Sequence, residues 1–342
     1  MQNDDEIKTL RVPHETMRDV LYGILQKAHV PETKAKVCAE VFTSNSLEGV
    51  YSHGINRFSR FLSYIDKGII KVDHDPVCIN RSAGLEQWHG QSGIGITNAL
   101  ACTERAMELA SVHGLGCVAL ANTNHWMRAG TYARHAAANG YAFLGWSNTI
   151  KNTPPWGARE PRLGNNPLAI GVPYDESPMV LDMAMSQFSY GALEAAAMNN
   201  DKLSVPGGFD EQGNLTTDPA SILKSQRTLP IGYWKGSALS LILDILAATL
   251  SGGLSVFQIS KQEYETNLSQ VFVAFNLKAL ANSSTMHDTI RQVIMDLKQS
   301  ALANPDARLR YPGESAISTR TANLTKGIPV NKDVWNKIIS NC

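Results

Sequence analysis

The chain carries no excess of charge of either sign: Lys plus Arg and Asp plus Glu each number 31 among 342 residues. Without a dense basic run there is no electrostatic footprint for a phosphate backbone, so nucleic acid is not an expected partner. Cysteine is sparse. The five residues Cys38, Cys78, Cys102, Cys117 and Cys342 form no Cys-x-x-Cys and no spacing that pairs with histidine in a zinc pattern, so reduced, non-catalytic thiols are expected. The nine histidines include no His-x-x-x-His or His-Glu-x-x-His, which leaves metal catalysis without support and no metal ligand assigned. The longest apolar run, Ala238 to Leu250, contains Ser240, Asp244 and Thr249 and covers about thirteen residues, against the roughly 18 to 20 needed to cross a bilayer. It reads as a buried helix. The start, Met1-Gln2-Asn3-Asp4-Asp5-Glu6, is polar and acidic and lacks the basic and apolar regions of a signal peptide, so a cytoplasmic protein with no membrane partner is expected.

Nucleotide fingerprints are missing too. The nearest approach to a Rossmann motif, Gly93-Ile94-Gly95-Ile96-Thr97-Asn98, lacks the third glycine and an acidic residue about twenty positions later. No Walker loop occurs. A nicotinamide dinucleotide, if used, must be bound by a different fold.

What is present is enough apolar residue, 43% of the chain, to bury a sizeable core. The 3.6-residue period predicts helices over Thr16 to Ala28 and Glu32 to Ser46, then a third capped by Ser52 with Ile55, Phe58, Phe61, Leu62 and Ile65 on its apolar face. Beyond residue 75 the pattern alternates: strand Gly84 to His89, helix Asn98 to His113 closed by Gly114, strand Gly116 to Ala121, helix Thr131 to Ala138, strand Tyr141 to Trp146. Leu168 to Val172 and Pro178 to Met183 read as an antiparallel hairpin. Residues 199 to 232 read as a long ordered loop, followed by the buried helix from Gly236, a strand Ser269 to Leu277, a helix Ser284 to Ala303 and a helical C-terminus.

The octapeptide Tyr51-Ser52-His53-Gly54-Ile55-Asn56-Arg57-Phe58 is the richest in chemistry. With His53 in the first turn of the third helix, His53 and Arg57 share a face. An imidazole can give a proton to a developing alkoxide while a guanidinium holds a carboxylate through two parallel hydrogen bonds, a pairing suited to reduction of a 2-oxo acid. A cap, a surface His and a solvated Arg are the plain alternative.

Further polar clusters look placed for ligands, three of them directly after predicted strands: Asn122-Thr123-Asn124-His125-Trp126, Trp146-Ser147-Asn148 and Asp182-Met183-Ala184-Met185-Ser186, beside Leu163-Gly164-Asn165-Asn166-Pro167. Together with Pro154-Pro155-Trp156-Gly157, Gly232-Tyr233-Trp234-Lys235-Gly236-Ser237 and Tyr311-Pro312-Gly313-Glu314, and in this order from about residue 14 to 340, they make the chain resemble the type-2 malate/L-lactate dehydrogenase family, also called malate/sulfolactate dehydrogenase-like. The resemblance implies an α/β fold of non-Rossmann type, with a mixed, largely antiparallel sheet flanked by helices. It implies an N-terminal helical subdomain (1–75), an α/β cofactor- and substrate-binding domain (76–312) and C-terminal helices (313–342) packing back on the first. It also implies a homodimer that uses NADH, with NADPH as an option, on a small-molecule 2-oxo acid.

The family's catalytic acid falls on His53. Its cofactor segments fall on Pro178, Met179, Val180, Leu181, Asp182, Met183 and Ala184, on Trp234 and Lys235, and on Gly313, Glu314 and Ser315. Hydride passes from the reduced nicotinamide to the C2 ketone. His53 as imidazolium protonates the oxygen, Asp182 holds and stabilises its ring, and Arg57 clamps the substrate carboxylate. His125 and Asn166, with Asn124, Ser147 and Asn148, are expected to read the substrate's distal oxygens. Lys235, at a helix start, is expected to face the pyrophosphate, and Trp234 to pack on a ring. The motif combination points to an open-chain six-carbon 2,3-dioxo sugar acid, with malate, lactate or a cyclic imino acid as the alternative.

Overall fold

Two helices open the fold, because apolar residues recur every three or four positions behind a proline that presets the backbone. In the computed structural model, which describes residues 9–175, 177–198 and 200–340, Pro13 precedes the helix His14–Lys27 and Pro31 precedes Glu32–Leu47. The acidic start Met1 to Glu6 and Cys342 lie outside the described residues. The first helix buries Met17, Leu21, Ile24 and Leu25, and the second buries Cys38, Ala39 and Phe42.

The third helix departs from expectation. Tyr51–His53 form a separate 3-10 turn, Gly54 ends it, and the α-helix runs Ile55–Asp66. Ser52 does not cap it. The first amide, Ile55 N–H, is taken at 2.8 Å by the Ser46 hydroxyl from the preceding helix, while Ser52 Oγ sits 3.1 Å from His53 Nδ1. A Cβ on Gly54 would lie 2.2 Å from Ser46 Oγ, so the approach that lets Ser46 cap the helix requires glycine there. Phe42 and Phe58 then meet edge to face at 5.2 Å.

The strands are β1 (Thr9–Val12), β2 (Val77–Ser82), β3 (Leu85–His89), β4 (Leu115–Thr123), β5 (Tyr141–Ser147), β6 (Leu168–Val172), β7 (Met179–Met183), β8 (Gly208–Phe209), β9 (Leu215–Thr216), β10 (Leu268–Asn276) and β11 (Ile328–Asn331). A seven-stranded sheet has the order β2-β3-β4-β10-β5-β6-β7. Only β3 and β4 pair in parallel, joined as a parallel pair requires by a crossover helix, Gly95–His113, which Gly114 closes at φ 82°. All other neighbours are antiparallel, including the β6–β7 hairpin. β1 and β11 pair antiparallel, Val12 opposite Ile328, and their core contains Trp335 and Ile338 beside Leu21, Phe42 and Phe58.

Helices cover the sheet on both faces. Gly95–His113 and Ala129–Ala138 pack on one around Trp126, Tyr132, Phe143 and Phe272. On the other lies the helix Trp234–Ser251, which contributes Leu243 and Ala247 beside Trp146 and Val271. It corrects the reading of a buried helix: its buried residues are Gly236, Ser240, Leu243, Ala247 and Ser251, while Leu239, Leu241, Ile242, Ile245 and Leu246 are exposed. A helix lying on a flat sheet buries one stripe only, and here the rest is apolar as well. At 18 residues with mean hydropathy 1.2 it has the length and composition to cross a membrane, yet that stripe is packed on the sheet. The segment 199 to 232 is also less loop-like than read. It holds the β8–β9 pair and a helix Pro219–Ser225, whose first amides are accepted by the Asp218 carboxylate.

Candidate active site

The 3-10 turn presents His53 to the loop after β4, where its ring stacks on His125 with centroids 5.7 Å apart and planes 18° apart. Met127 N–H donates to His125 Nδ1 at 2.9 Å, so the neutral ring carries its proton on Nε2. Burial, and then Arg57, push His53 down to about 4, with Asp182 opposing and Arg128 adding to the fall. Burial, then Arg57, His53 and Arg60, hold His125 well below the ordinary imidazole range. Both rings are therefore neutral near pH 7, where an imidazolium at His53 was expected.

Arg57, in the first turn of Ile55–Asp66, opens into a pocket that it shares with Arg60, Tyr64, Asn124, His125 and Glu265. Its partner is Glu265 Oε2, 3.3 Å from Nη2, a single long contact. Arg60 Nη2 donates to Tyr64 Oη at 3.1 Å.

Asp182 does not hold the His53 ring through any described hydrogen bond; its Oδ2 accepts from Arg128 Nε at 3.0 Å. Arg128 in turn bonds Glu48, a carboxylate only 3% exposed that also faces Arg134 at 3.1 Å and Arg320 at 3.5 Å. Burial works against the Arg128 charge, but Asp182 and Glu48 together keep its pKa above the ordinary value. Gly130 is required beneath this chain of ion pairs, because a Cβ there would lie 2.7 Å from Asp182 Oδ2. Asp182 thus acts on His53 through its field, from a position fixed by Arg128 and Glu48. The sequence reading missed both of these, and also Glu265, Arg60 and Tyr64. A helical signal existed for Arg60 and Tyr64, three and seven positions after Arg57.

The expected readers of distal oxygens divide. His125 faces the pocket. Asn166 is fully buried and spent on the scaffold: Oδ1 accepts from Thr149 N–H at 3.2 Å, and Nδ2 donates to the Ser240 carbonyl and hydroxyl at 2.8 and 3.0 Å. Asn124 holds the Ser92 and Gly93 carbonyls, Asn148 holds Asp244, Leu254 and Ser269, and Ser147 donates to the Asn148 carbonyl. Asn166, Asn148 and Ser147 thus fasten loops at strand ends, while Asn124 does so and also lines the pocket with Arg57 and His125.

Pro178 to Ala184 follow the free edge of the sheet, with Val180 N–H donating to the Pro312 carbonyl at 3.2 Å. Gly313, at φ 95°, packs on that edge, where a Cβ would come within 3.1 Å of Val180 N. The side chains of Glu314 and Ser315 are engaged locally, by Lys298 and Arg310 respectively. At the other end of β7, Ile231 N–H donates to the Met185 carbonyl at 2.8 Å and leads into Trp234 and Lys235, both exposed, at the start of their helix. Two of the three segments thus meet at Val180, and the third meets the chain at Met185, two residues beyond the end of β7. Among the described residues no group of three His, Cys, Asp or Glu side chains is placed for a metal ion. Burial pushes the Cys38 thiol up to about 12 and Cys117 to about 11, so neither is a thiolate near neutrality.

This arrangement has counterparts. The sequence profile described as malate/L-lactate dehydrogenase matches residues 12–339. The 2,3-diketo-L-gulonate reductase of Pasteurella multocida (strain Pm70) is 41% identical over 332 residues, covering 97% of this chain and all of that one. The malate dehydrogenase of Entamoeba histolytica superposes with a TM-score of 0.92 at 24% identity, over 97% of each chain, which establishes the fold alone. Sulfolactate dehydrogenase from Methanocaldococcus jannaschii gives a TM-score of 0.88 at 26% identity, over 97% of this chain and 96% of that one. With a profile spanning residues 12–339 and a relative aligned end to end at 41% identity, the chain belongs to the malate/L-lactate dehydrogenase family.

Proposed function

We propose that the chain is an NAD(P)H-dependent reductase of a 2-oxo sugar acid, converting 2,3-diketo-L-gulonate to 3-dehydro-L-gulonate. The observation that carries this reading is the pocket that joins Arg57, whose one described partner is a 3.3 Å contact, to His125, on whose ring His53 stacks. The identity to 2,3-diketo-L-gulonate reductases over nearly the whole chain supports the substrate. An exposed indole and ammonium, Trp234 and Lys235, at a helix start beside the end of β7 suit the rings and pyrophosphate of a nicotinamide dinucleotide. Gly313 and Pro178 to Ala184 would form the rest of that wall, with NADH preferred.

The bound dinucleotide supplies a hydride to C2, and the protein supplies position and a proton. Arg57 turns from its long contact with Glu265 to the substrate carboxylate, a charge-assisted fork that fixes the ketone. That carboxylate offsets the Arg57 part of the depression of His53, of which burial is the larger part, so with Asp182 beside it His53 takes up a proton more readily as substrate binds and passes it to the C2 oxygen. Asp182, fixed by Arg128, favours the imidazolium. His125, its proton held on Nε2, donates to the same region without changing charge.

The exposed apolar residues Leu239, Leu241, Ile242, Ile245 and Leu246, with Tyr233 and Trp234 at the same helix start, form the face through which two copies associate as a cytoplasmic homodimer. NADH oxidation, measured with 2,3-diketo-L-gulonate beside pyruvate, oxaloacetate and a cyclic imino acid, tests the reading. The highest kcat/KM belongs to the six-carbon acid; a win for any other substrate refutes the substrate, and no oxidation with any of them refutes the reductase.

A further inference from the structure

The pocket beside His125 contains two guanidiniums and one carboxylate: Arg57, Arg60 and Glu265. Glu265 comes from the segment between the helix Val256–Ile259 and β10, and the neighbouring Thr266 hydroxyl donates to Asn124 Oδ1 at 2.9 Å, tying that segment to the pocket wall. The Glu265 side chain is only 10% exposed. Its one described partner is the 3.3 Å contact to Arg57, so it keeps acceptor capacity directed at the pocket.

Charge counting gives this carboxylate a consequence. Arg57, Arg60 and the proton that His53 takes up balance Glu265, Glu194, which acts on both guanidiniums, and one substrate carboxylate. A second carboxylate in the same space would leave net negative charge beside the buried Glu265 side chain. Hydroxyl groups, in contrast, can donate to the Glu265 oxygens that Arg57 leaves free.

We propose that Glu265 determines specificity at this site, accepting hydrogen bonds from the hydroxyls of a monocarboxylate sugar acid and excluding 2-oxo acids that carry a second carboxylate. The inference rests on the reductase reading, and it assigns the selection against four-carbon dicarboxylates to repulsion by one residue. Like-charge juxtaposition of this kind is worth at least about a hundredfold in specificity.

The test is kcat/KM with NADH for 2,3-diketo-L-gulonate and for oxaloacetate, in the wild type and in Glu265→Gln. The wild type favours the monocarboxylate, and Glu265→Gln narrows the ratio by about tenfold or more, chiefly through a gain on oxaloacetate. An active wild type whose ratio is unchanged in Glu265→Gln overturns the inference while leaving the reductase intact. A wild type that oxidises NADH with no 2-oxo acid removes both. A second measurement needs no variant: competitive inhibition of the wild type by gluconate and by glucarate, which differ only in a terminal carboxylate. Gluconate binds at least about tenfold more tightly; equal binding overturns the inference.

Discussion

Arg57 and Arg128 are two guanidiniums flanking the same histidine, and their surroundings assign them opposite work. Arg128 has a side chain 9% exposed and is gripped by two carboxylates, Glu48 and Asp182, the latter at 3.0 Å. Arg57 is 25% exposed and has, among the described residues, one hydrogen-bond partner, at 3.3 Å. A saturated, buried ion pair contributes geometry, and removing one member leaves an uncompensated charge. A loosely paired one at a pocket wall can exchange its partner for a ligand. The bonding state of each arginine, more than residue type or distance from His53, indicates which one meets substrate.

The largest expected effect breaks the comparison at Arg128. Arg128→Met takes from Asp182 its described ion-pair partner and from the buried Glu48 one of three guanidiniums, Arg134 and Arg320 remaining, and should cost about 3 kcal/mol in urea denaturation. Arg57→Met should cost less, about 1–2 kcal/mol, because Glu265 loses its described hydrogen bond but still shares the pocket with Arg60. Equal losses would dissolve the distinction. Next is His53, which both arginines repel. His53→Gln should lower turnover by about two to four powers of ten while NADH affinity, read by titration of intrinsic fluorescence, stays close to wild type.

Asn166 sharpens the contrast between scaffold and ligand groups. Asn166→Ala strands the Ser240 carbonyl and the Thr149 amide, for a cost of about 1–3 kcal/mol in stability. KM for the sugar acid in the folded fraction should stay near wild type, and a selective rise in KM would return Asn166 to the substrate. The smallest effect is on the pH dependence of stability. His53 titrates at about 4 in the fold against 6.5 ordinarily, so the unfolded chain binds the proton more readily. The resulting stability is present above pH 6.5 and is lost as pH falls from 6.5 through about 4. The melting temperature of His53→Gln should fall less steeply across that window, and identical slopes would show that His53 is not held neutral.

What could be read in the chain follows from how local each signal is. Gly114 closing a helix, Pro31 before the second helix and the β6–β7 hairpin are written within a few residues, and the structure shows all of them. The pairing of His53 with Arg57 was read from one helix face, whereas the structure puts His53 in the 3-10 turn ahead of Gly54 and Arg57 in the helix after it. Pairings across long separations were not legible: Arg57 meets Glu265 208 residues away, and Arg128 meets Glu48 across 80 and Asp182 across 54. The misreading of Ser52 as a cap has this origin as well, since the hydroxyl that won, Ser46, belongs to the preceding helix. Asn148 and Asn166 looked like ligand groups because amides at strand ends serve ligands and loops with the same chemistry, and only the folded chain shows the hydrogen bonds they make within it. The outer face of Trp234–Ser251 was taken for core because composition reports that a surface is apolar without reporting what covers it.

The most direct measurement is kcat/KM for 2,3-diketo-L-gulonate with NADH in Arg57→Lys, set beside its urea midpoint. An ammonium keeps the charge and cannot form the fork. The account predicts a fall of about a hundredfold, an unchanged NADH dissociation constant and an unchanged midpoint. A lowered midpoint with kcat/KM preserved would place Arg57 in the architecture with Arg128 and contradict its role as the substrate clamp.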